Sequence, residues 1–186
     1  MSNQIMTMLN DGYINSKVNI RMDLVHTHVT PYISQGNDGA DLDGIAFGNQ
    51  PEFTQIRALR DQYGADLVAM LVSSSGYGGI GYVFQGFPGS DQIGYSVSDI
   101  SILSYLVVNH ELGHNMGMAH DYDNSDPNFQ TFRPKSYGYK NCGSQPFTTI
   151  MSYECTNVPS FPKNVHSSTT NTFEGRQLHD DVSQNP

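Results

Sequence analysis

The sequence predicts a single globular domain of the α/β (α+β) class, which contains both helices and short strands. The chain has 186 residues, close to the size of one ordinary domain. Segments with helical apolar spacing alternate along it with short strand-like segments. Charged residues make up 15% of the chain and aromatic residues 11%, a composition that excludes intrinsic disorder.

Three segments have the spacing of helices. Apolar residues recur every three or four positions over 5–13 and again over 51–63, where Gly64 ends the pattern. A longer helix is predicted over about 101–116, ended by Gly117.

Four segments are typical of strands. Residues 18–26 alternate between apolar and polar, as in a half-buried strand, whereas 65–72 are almost continuously apolar, as in a strand covered on both faces. Residues 79–84 predict an edge strand and 93–97 a further short strand. Beyond Asp121 the chain is rich in Pro, Asn and Ser, which predicts ordered loops.

The charge of the chain excludes several classes of partner. The formal net charge is -9, so the surface repels nucleic acid and anionic membranes. No apolar run is long enough to span a bilayer, and we expect no membrane insertion. Residues 1–126 carry four basic and fourteen acidic side chains, whereas residues 127–186 carry five basic and four acidic ones. The C-terminal third is therefore the more positive part of the molecule.

The segment from His110 to His120 carries the strongest chemical signal. On a helix, His110 and His114 share a face and can reach one ion, and Glu111 lies beside them. Gly117 permits a sharp turn that brings His120 back as a third ligand. Three imidazoles leave a fourth position for water, whose pKa zinc lowers to about 7. The pattern predicts one catalytic Zn²⁺, with Glu111 taking the proton of the water and passing it to the leaving amine.

This extended motif resembles that of the metzincin metallopeptidases. Residues 149–153, Thr-Ile-Met-Ser-Tyr, match the methionine turn of that family, which implies that Met151 forms an apolar floor under the zinc ligands. Asp121 directly follows the third histidine, as in the reprolysin-like (adamalysin-type) and snapalysin-like groups. Three further segments are similar to bacterial reprolysin-like and peptidyl-Asp metallopeptidases: 13–20, 59–68 and 175–178.

The resemblance implies a zincin-like fold, a mixed twisted sheet packed on helices with the active-site helix at the base of a cleft. It implies a zinc endopeptidase that hydrolyses internal bonds of a protein or peptide through Glu-assisted attack of zinc-bound water. We interpret residues 1–186 as one catalytic domain. We expect it to be a fragment that lacks the first strand, the leader and part of the C-terminal helix. We expect a secreted monomer.

The resemblance also implies roles beside the zinc site. Tyr153 matches a tyrosine of astacin-like and serralysin-like metzincins that reprolysins usually lack. By that resemblance it would donate to the oxyanion of the intermediate; the alternative is a packed aromatic side chain. The edge strand, with Gly79, Ile80, Gly81 and Tyr82, would pair with the substrate backbone; the alternative is an ordinary hairpin strand.

Lys163 and Arg176 are the predicted cations of the pocket for the substrate residue that follows the scissile bond. They lie in the more positive third of the chain and follow the methionine turn. Together with the peptidyl-Asp resemblance, they favour an acidic or small polar residue at that substrate position. The alternative is that both side chains are simply solvated.

Two other features concern stability. Cys142 and Cys155 are the only cysteines, and we expect a disulfide that braces the methionine turn, the alternative being two buried thiols. The acidic run 37–44 partly matches a calcium-binding loop, but two ligand positions hold Gly39 and Gln50. We interpret the run as a solvated acidic turn rather than a structural Ca²⁺ site.

Two rival functions stay open at this point. One is a secreted zinc-binding adhesion module or pseudo-enzyme without turnover, and the other is a zinc hydrolase of a non-peptide amide. Glu111 and the predicted edge strand favour the peptidase.

Overall fold

The computed structural model describes residues 2–73, 76–86, 90–126, 136–144 and 146–156. The helices are α1 (Ser2–Asn15), α2 (Asp38–Phe47), α3 (Pro51–Tyr63) and α4 (Val107–Asn115). The strands are β1 (Val68–Val72), β2 (Gly79–Gly81), β3 (Tyr95–Asp99), β4 (Ala119–Asp121), β5 (Tyr137–Gly138), β6 (Lys140–Asn141) and β7 (Phe147–Thr148). Short 3₁₀ turns lie at Ser90–Ile93, Ile100–Tyr105 and Tyr122–Asn124.

The main sheet is mixed, as predicted. Its order is β1-β3-β2, with β1 parallel to β3 and β2 antiparallel to it. Ile80 of β2 lies opposite Val97 of β3. Within the part of the chain described, β2 therefore forms one edge of this sheet, as expected for the substrate-facing strand.

Helices cover both faces of the sheet. Met70 and Val72 of β1 face the apolar side chains of α2 and α3, such as Ile45 and Phe53. Leu71, which points the opposite way, packs with the cluster formed by α1 and α4. This two-sided burial explains the almost continuous apolar run in β1 and confirms the α+β class.

Local sequence signals set both ends of α3, which begins and ends where the sequence predicted. Pro51 stands at the start of the helix, where a missing N–H is tolerated. Gly64 adopts φ 62 and donates its N–H to the last turn, ending the helix.

Several predicted elements are wrong in part or whole. Residues 18–26 belong to no strand, and the edge strand predicted over 79–84 covers only Gly79–Gly81. The predicted helix 101–116 is interrupted at Leu106, which has a buried side chain and a left-handed backbone with φ 59. Helix α4 therefore begins only at Val107. The run 37–44 is not a solvated turn: it enters α2, and Asp38 and Asp41 are buried.

No helix among the described residues combines the length and apolar character that crossing a bilayer requires.

Candidate active site

The three histidines of the sequence motif converge on one point. The Nε2 atom of His114 lies 3.1 Å from Nε2 of His110 and 3.2 Å from Nε2 of His120. His110 and His114 come from one face of α4, while the turn at Gly117, with φ 91, returns His120 on β4. In the described residues, this is the one group of His, Cys, Asp or Glu side chains arranged to hold a metal ion.

Backbone carbonyls fix the orientation of the imidazoles. Nδ1 of His110 is 2.7 Å from the carbonyl oxygen of Ile150, and Nδ1 of His114 is 2.7 Å from that of Met118. His120 also makes a hydrogen bond to the backbone of Asn124. Because a carbonyl only accepts, Nδ1 of His110 and of His114 carries the proton, and their Nε2 atoms direct lone pairs into the cluster.

This arrangement fits a bound metal ion. Lone pairs that face one another repel unless a cation lies between them. Tetrahedral zinc with Zn–N bonds of about 2.0–2.1 Å places its ligand nitrogens about 3.3 Å apart, close to the separations found here. Burial lowers the pKa of all three histidines, that of His114 to about 4, so the rings are neutral and ready to ligate.

Glu111 lies beside the histidines with its carboxyl group against β2. It is only 5% exposed, and burial, with a smaller contribution from the charge of Asp38, raises its pKa to about 8. A Cβ on Gly79 would lie 2.6 Å from Glu111 Oε1, and one on Gly81 would lie 3.4 Å from Oε2. Glycine at both positions therefore lets the carboxyl group approach the edge strand.

The predicted methionine turn lies beneath α4. Met151 is buried, and its side chain occupies the space in which a Cβ on Gly113 would stand. The turn is closed by a hydrogen bond from Ser152 N to Thr149 O, 3.0 Å. Through Ile150 O, the same turn also orients His110.

Asp121 connects the third histidine to the methionine turn, a role that the sequence did not reveal. Its buried carboxylate accepts the N–H of Tyr153 at 3.0 Å, the Lys140 Nζ at 2.6 Å and the Asn124 amide at 2.7 Å. Burial acts to raise the pKa of Asp121, but these three hydrogen bonds outweigh it and lower that pKa. The signal available in the sequence was the position of Asp121 next to His120.

Asn115, at the end of α4, is a second residue that sequence reasoning missed. Its Nδ2 donates to Tyr82 O at 2.8 Å and to Tyr95 O at 2.9 Å. The active-site helix is thereby tied to the chain that leaves β2 and to β3. Nothing in local spacing signals this, because both acceptors are distant backbone carbonyls.

Tyr153 lies at the metal site. Its ring packs on the ring of His120, with centroids 4.6 Å apart and a 35° tilt, and its side chain is half-exposed. Cys142 and Cys155 form the predicted disulfide, which links the end of β6 to the chain just after the methionine turn.

A cleft of about 640 Å³ opens over these groups. Tyr77 and β2 line one side, Glu111 and the histidines the base, and residues 124–126 and 152–154 the other side. Among the described residues of its wall there is no lysine or arginine. The predicted substrate-binding residues Lys163 and Arg176 lie outside the described residues.

Comparison with known proteins agrees with this site. A reprolysin-type family profile, described as metallo-peptidase family M12, matches residues 1–167. A peptidyl-Asp metalloendopeptidase of Pseudomonas aeruginosa is 32% identical over 204 aligned positions, which cover 93% of this chain and 32% of that protein. A protein of the same name from Xanthomonas campestris is 29% identical, over 78% of this chain and 34% of its own length.

The fold also recurs in a solved structure, described as a chaperone–substrate complex. It superposes with a TM-score of 0.59 over 87% of this chain and 27% of that chain, at 18% identity, a likeness that concerns the fold alone. The chain spans about a third of the length of the curated relatives it matches. Since the family profile matches most of the chain, including all three histidines, the chain belongs to the reprolysin-like metallopeptidases of family M12.

Proposed function

We propose that this chain is the catalytic part of a zinc endopeptidase that hydrolyses internal peptide bonds. The observation that carries the proposal is the convergence of three histidine Nε2 atoms beside a buried glutamate, at the base of a cleft with a strand edge. Membership of a metallopeptidase family also supports a peptidase function.

The ligand set favours zinc. Three neutral imidazoles with no thiolate, and room for a fourth ligand, are typical of catalytic zinc sites. His110, His114 and His120 would hold the ion, and hydrogen bonds from the rings to the backbone keep them in place. When bound, zinc supplies a Lewis acid that activates water and polarises the scissile carbonyl.

Glu111 is the proposed general base. Its carboxyl group lies in a water-poor position between α4 and β2, where burial makes it more basic than an exposed glutamate. It takes a proton from the attacking water molecule and then gives that proton to the leaving amine. Tyr153, packed on His120 at the cleft, is the proposed donor to the oxyanion.

The free edge of β2 is the proposed binding site for the substrate backbone. Asp99 N donates to Gly78 O and Tyr82 N donates to Tyr95 O, so residues 78, 80 and 82 form the pairs that exchange hydrogen bonds with β3. The N–H and C=O groups of Gly79 and Gly81 consequently point away from β3. These groups are free to pair with an extended peptide in the cleft.

We also propose that the substrate residue after the scissile bond is acidic or small and polar. The named relatives are peptidyl-Asp metalloendopeptidases. Because the described part of the cleft wall has no lysine or arginine, a cation that favours such a residue must come from elsewhere. Lys163 and Arg176 are the proposed source.

The disulfide supports a secreted location, because disulfides persist in oxidising compartments.

Incubation of the chain with a random peptide library, with and without a chelator, tests the proposal. We expect cleavage at internal bonds that stops with chelation and returns when Zn²⁺ is added back. Metal binding without cleavage of any peptide would favour the adhesion or pseudo-enzyme function. Hydrolysis restricted to small amides would favour the non-peptide hydrolase.

A further inference from the structure

We propose that Asp38 is a positioning residue for substrate binding, which holds the chain where it enters the edge strand β2. This inference rests on the proposed peptidase function, because it assigns Asp38 a role in presenting β2 to a peptide. Asp38 lies on α2, far from the zinc motif in sequence.

The carboxylate of Asp38 binds two successive backbone amides. Gly76 N donates to Oδ1 at 3.0 Å, and Tyr77 N donates to Oδ2 at 2.7 Å. Asp38 itself is completely buried, at the first turn of α2. Both carboxylate oxygens are thus used, and hydrogen bonds from N–H groups to a buried charge are stronger than neutral ones.

These two amides immediately precede the proposed substrate-binding strand. Gly78, with φ 90, turns the chain, and its carbonyl accepts Asp99 N at 2.8 Å. β2 then begins at Gly79, whose backbone groups face the free edge. A shift of the 76–77 backbone would therefore be transmitted within two residues to the groups that pair with substrate.

The second of these residues, Tyr77, also lies at the cleft. Tyr77 is 85% exposed and lines the cleft, although its backbone N–H is fixed by a buried carboxylate. The opposite end of the strand is held separately, because Tyr82 bonds Asp43 of α2 through its hydroxyl and Asn115 through its carbonyl. Asp38 is the anchor of the entry end.

Asp41 provides a matched control. It lies one turn further along α2 and is 1% exposed, like Asp38. Its carboxylate accepts the hydroxyls of Tyr32 and Ser34, which precede α2 rather than β2. Asp41→Asn therefore disturbs a buried aspartate of the same helix without touching the chain that enters the edge strand.

The test compares Asp38→Asn, Asp41→Asn and the wild-type full chain, loaded with Zn²⁺, by peptide hydrolysis and amide hydrogen exchange. Asp38 uses one carboxylate oxygen for each N–H, and asparagine keeps only one of these oxygens, so its NH₂ group would face the other N–H. We expect Asp38→Asn to raise KM about tenfold and to speed exchange at Gly76, Tyr77 and β2. Because loss of the Asp38 charge also lowers the pKa of Glu111, kcat is compared at the pH optimum of each protein, where it should change less than about threefold. Asp41→Asn should change neither KM nor exchange in this region.

Two results would overturn the proposal. One is a KM for Asp38→Asn equal to that of Asp41→Asn. The other, which needs no variant to fold, is exchange of the wild-type Gly76 and Tyr77 amides at the rate of unprotected loop amides. If the wild-type chain cleaves no peptide, the peptidase function itself fails. The exchange comparison then still decides whether Asp38 holds the 76–77 backbone.

Discussion

The thioether of Met151 lies directly against the backbone of Gly113, in the space that a side chain at position 113 would fill. Because Gly113 is on α4 between His110 and His114, this contact brings the methionine turn close to the metal ligands. Ile150 O is then within 2.7 Å of His110 Nδ1. The orientation of a ligand thus depends on the absence of a Cβ at a helical position.

Gly113→Ala should therefore destabilise the protein, although alanine favours helices. We expect a loss of about 1–3 kcal/mol in the free energy of unfolding from overpacking, together with weaker metal binding. Gly39→Ala in α2 is the control, since its Cβ would meet only Asn37 Oδ1, at an ordinary 3.6 Å. That change should be neutral or stabilise by up to about 1 kcal/mol. Denaturant unfolding and zinc titration measure both effects, and equal stability of the two variants would contradict the prediction.

Glu111→Gln should keep metal and lose turnover. The amide preserves volume in the space beside Gly79 and Gly81 but cannot accept a proton. We expect kcat/KM to fall by at least about 10²–10⁴-fold, the usual contribution of a general base. Glu52→Gln, on α3, should leave activity unchanged. Substantial hydrolysis by the Glu111 variant would exclude it as the base.

Tyr153→Phe separates oxyanion binding from packing, because phenylalanine keeps the ring that stacks on His120. If the hydroxyl donates to the oxyanion, kcat should fall by about 10²–10³-fold with little change in KM. Tyr122→Phe, at an exposed position, serves as the control. An effect below twofold would assign Tyr153 a packing role only.

Replacement of Cys142 and Cys155 together by serine should lower the free energy of unfolding. The disulfide joins residues separated by 13 positions, and the chain-entropy treatment gives about 3 kcal/mol for a loop of this size. Because the loop contains the methionine turn, zinc affinity should fall as well. Unfolding of the native and double-serine proteins under the same non-reducing conditions measures the difference, and identical midpoints would refute the bracing role.

Charge reversal at Lys163 and Arg176 should change the preference for the substrate residue after the scissile bond. If these side chains supply the missing cation, their replacement by glutamate should reduce cleavage before aspartate by at least about tenfold, the usual scale for a charge-assisted hydrogen bond. Arg21→Glu, at an exposed position paired with Asp23, is the control for each single replacement, because it also reverses one charge. A preference for large aliphatic residues in the wild type would contradict the proposal outright.

The sequence predicted best the parts that depend on local rules. Pro51 and Gly64 delimit α3 through their own backbone preferences, and the spacing of His110, Glu111 and His114 is set by the pitch of α4. The turn at Gly117 likewise needs only a residue that tolerates positive φ. Each of these predictions is confirmed by the observed backbone.

The parts that failed depend on distant contacts. Asp38 looks solvated in sequence, yet its two amide partners lie 38 and 39 residues away, so burial became favourable only in the folded chain. Leu106 has good helix propensity, but in the fold its backbone is left-handed and its side chain is buried. The left-handed backbone separates the preceding 3₁₀ turn from α4. Neither the amide partners of Asp38 nor the burial of Leu106 can be inferred from spacing along the chain.

β2 is only three residues long, and its glycines leave no side chains on the face toward α4. Exposed strand edges invite uncontrolled pairing between molecules, and brevity is one of the ways in which proteins limit it. A strand edge of this length offers few hydrogen bonds to another chain unless the cleft also binds that chain. An open edge this short therefore limits the number of backbone hydrogen bonds available for self-association or fibril growth.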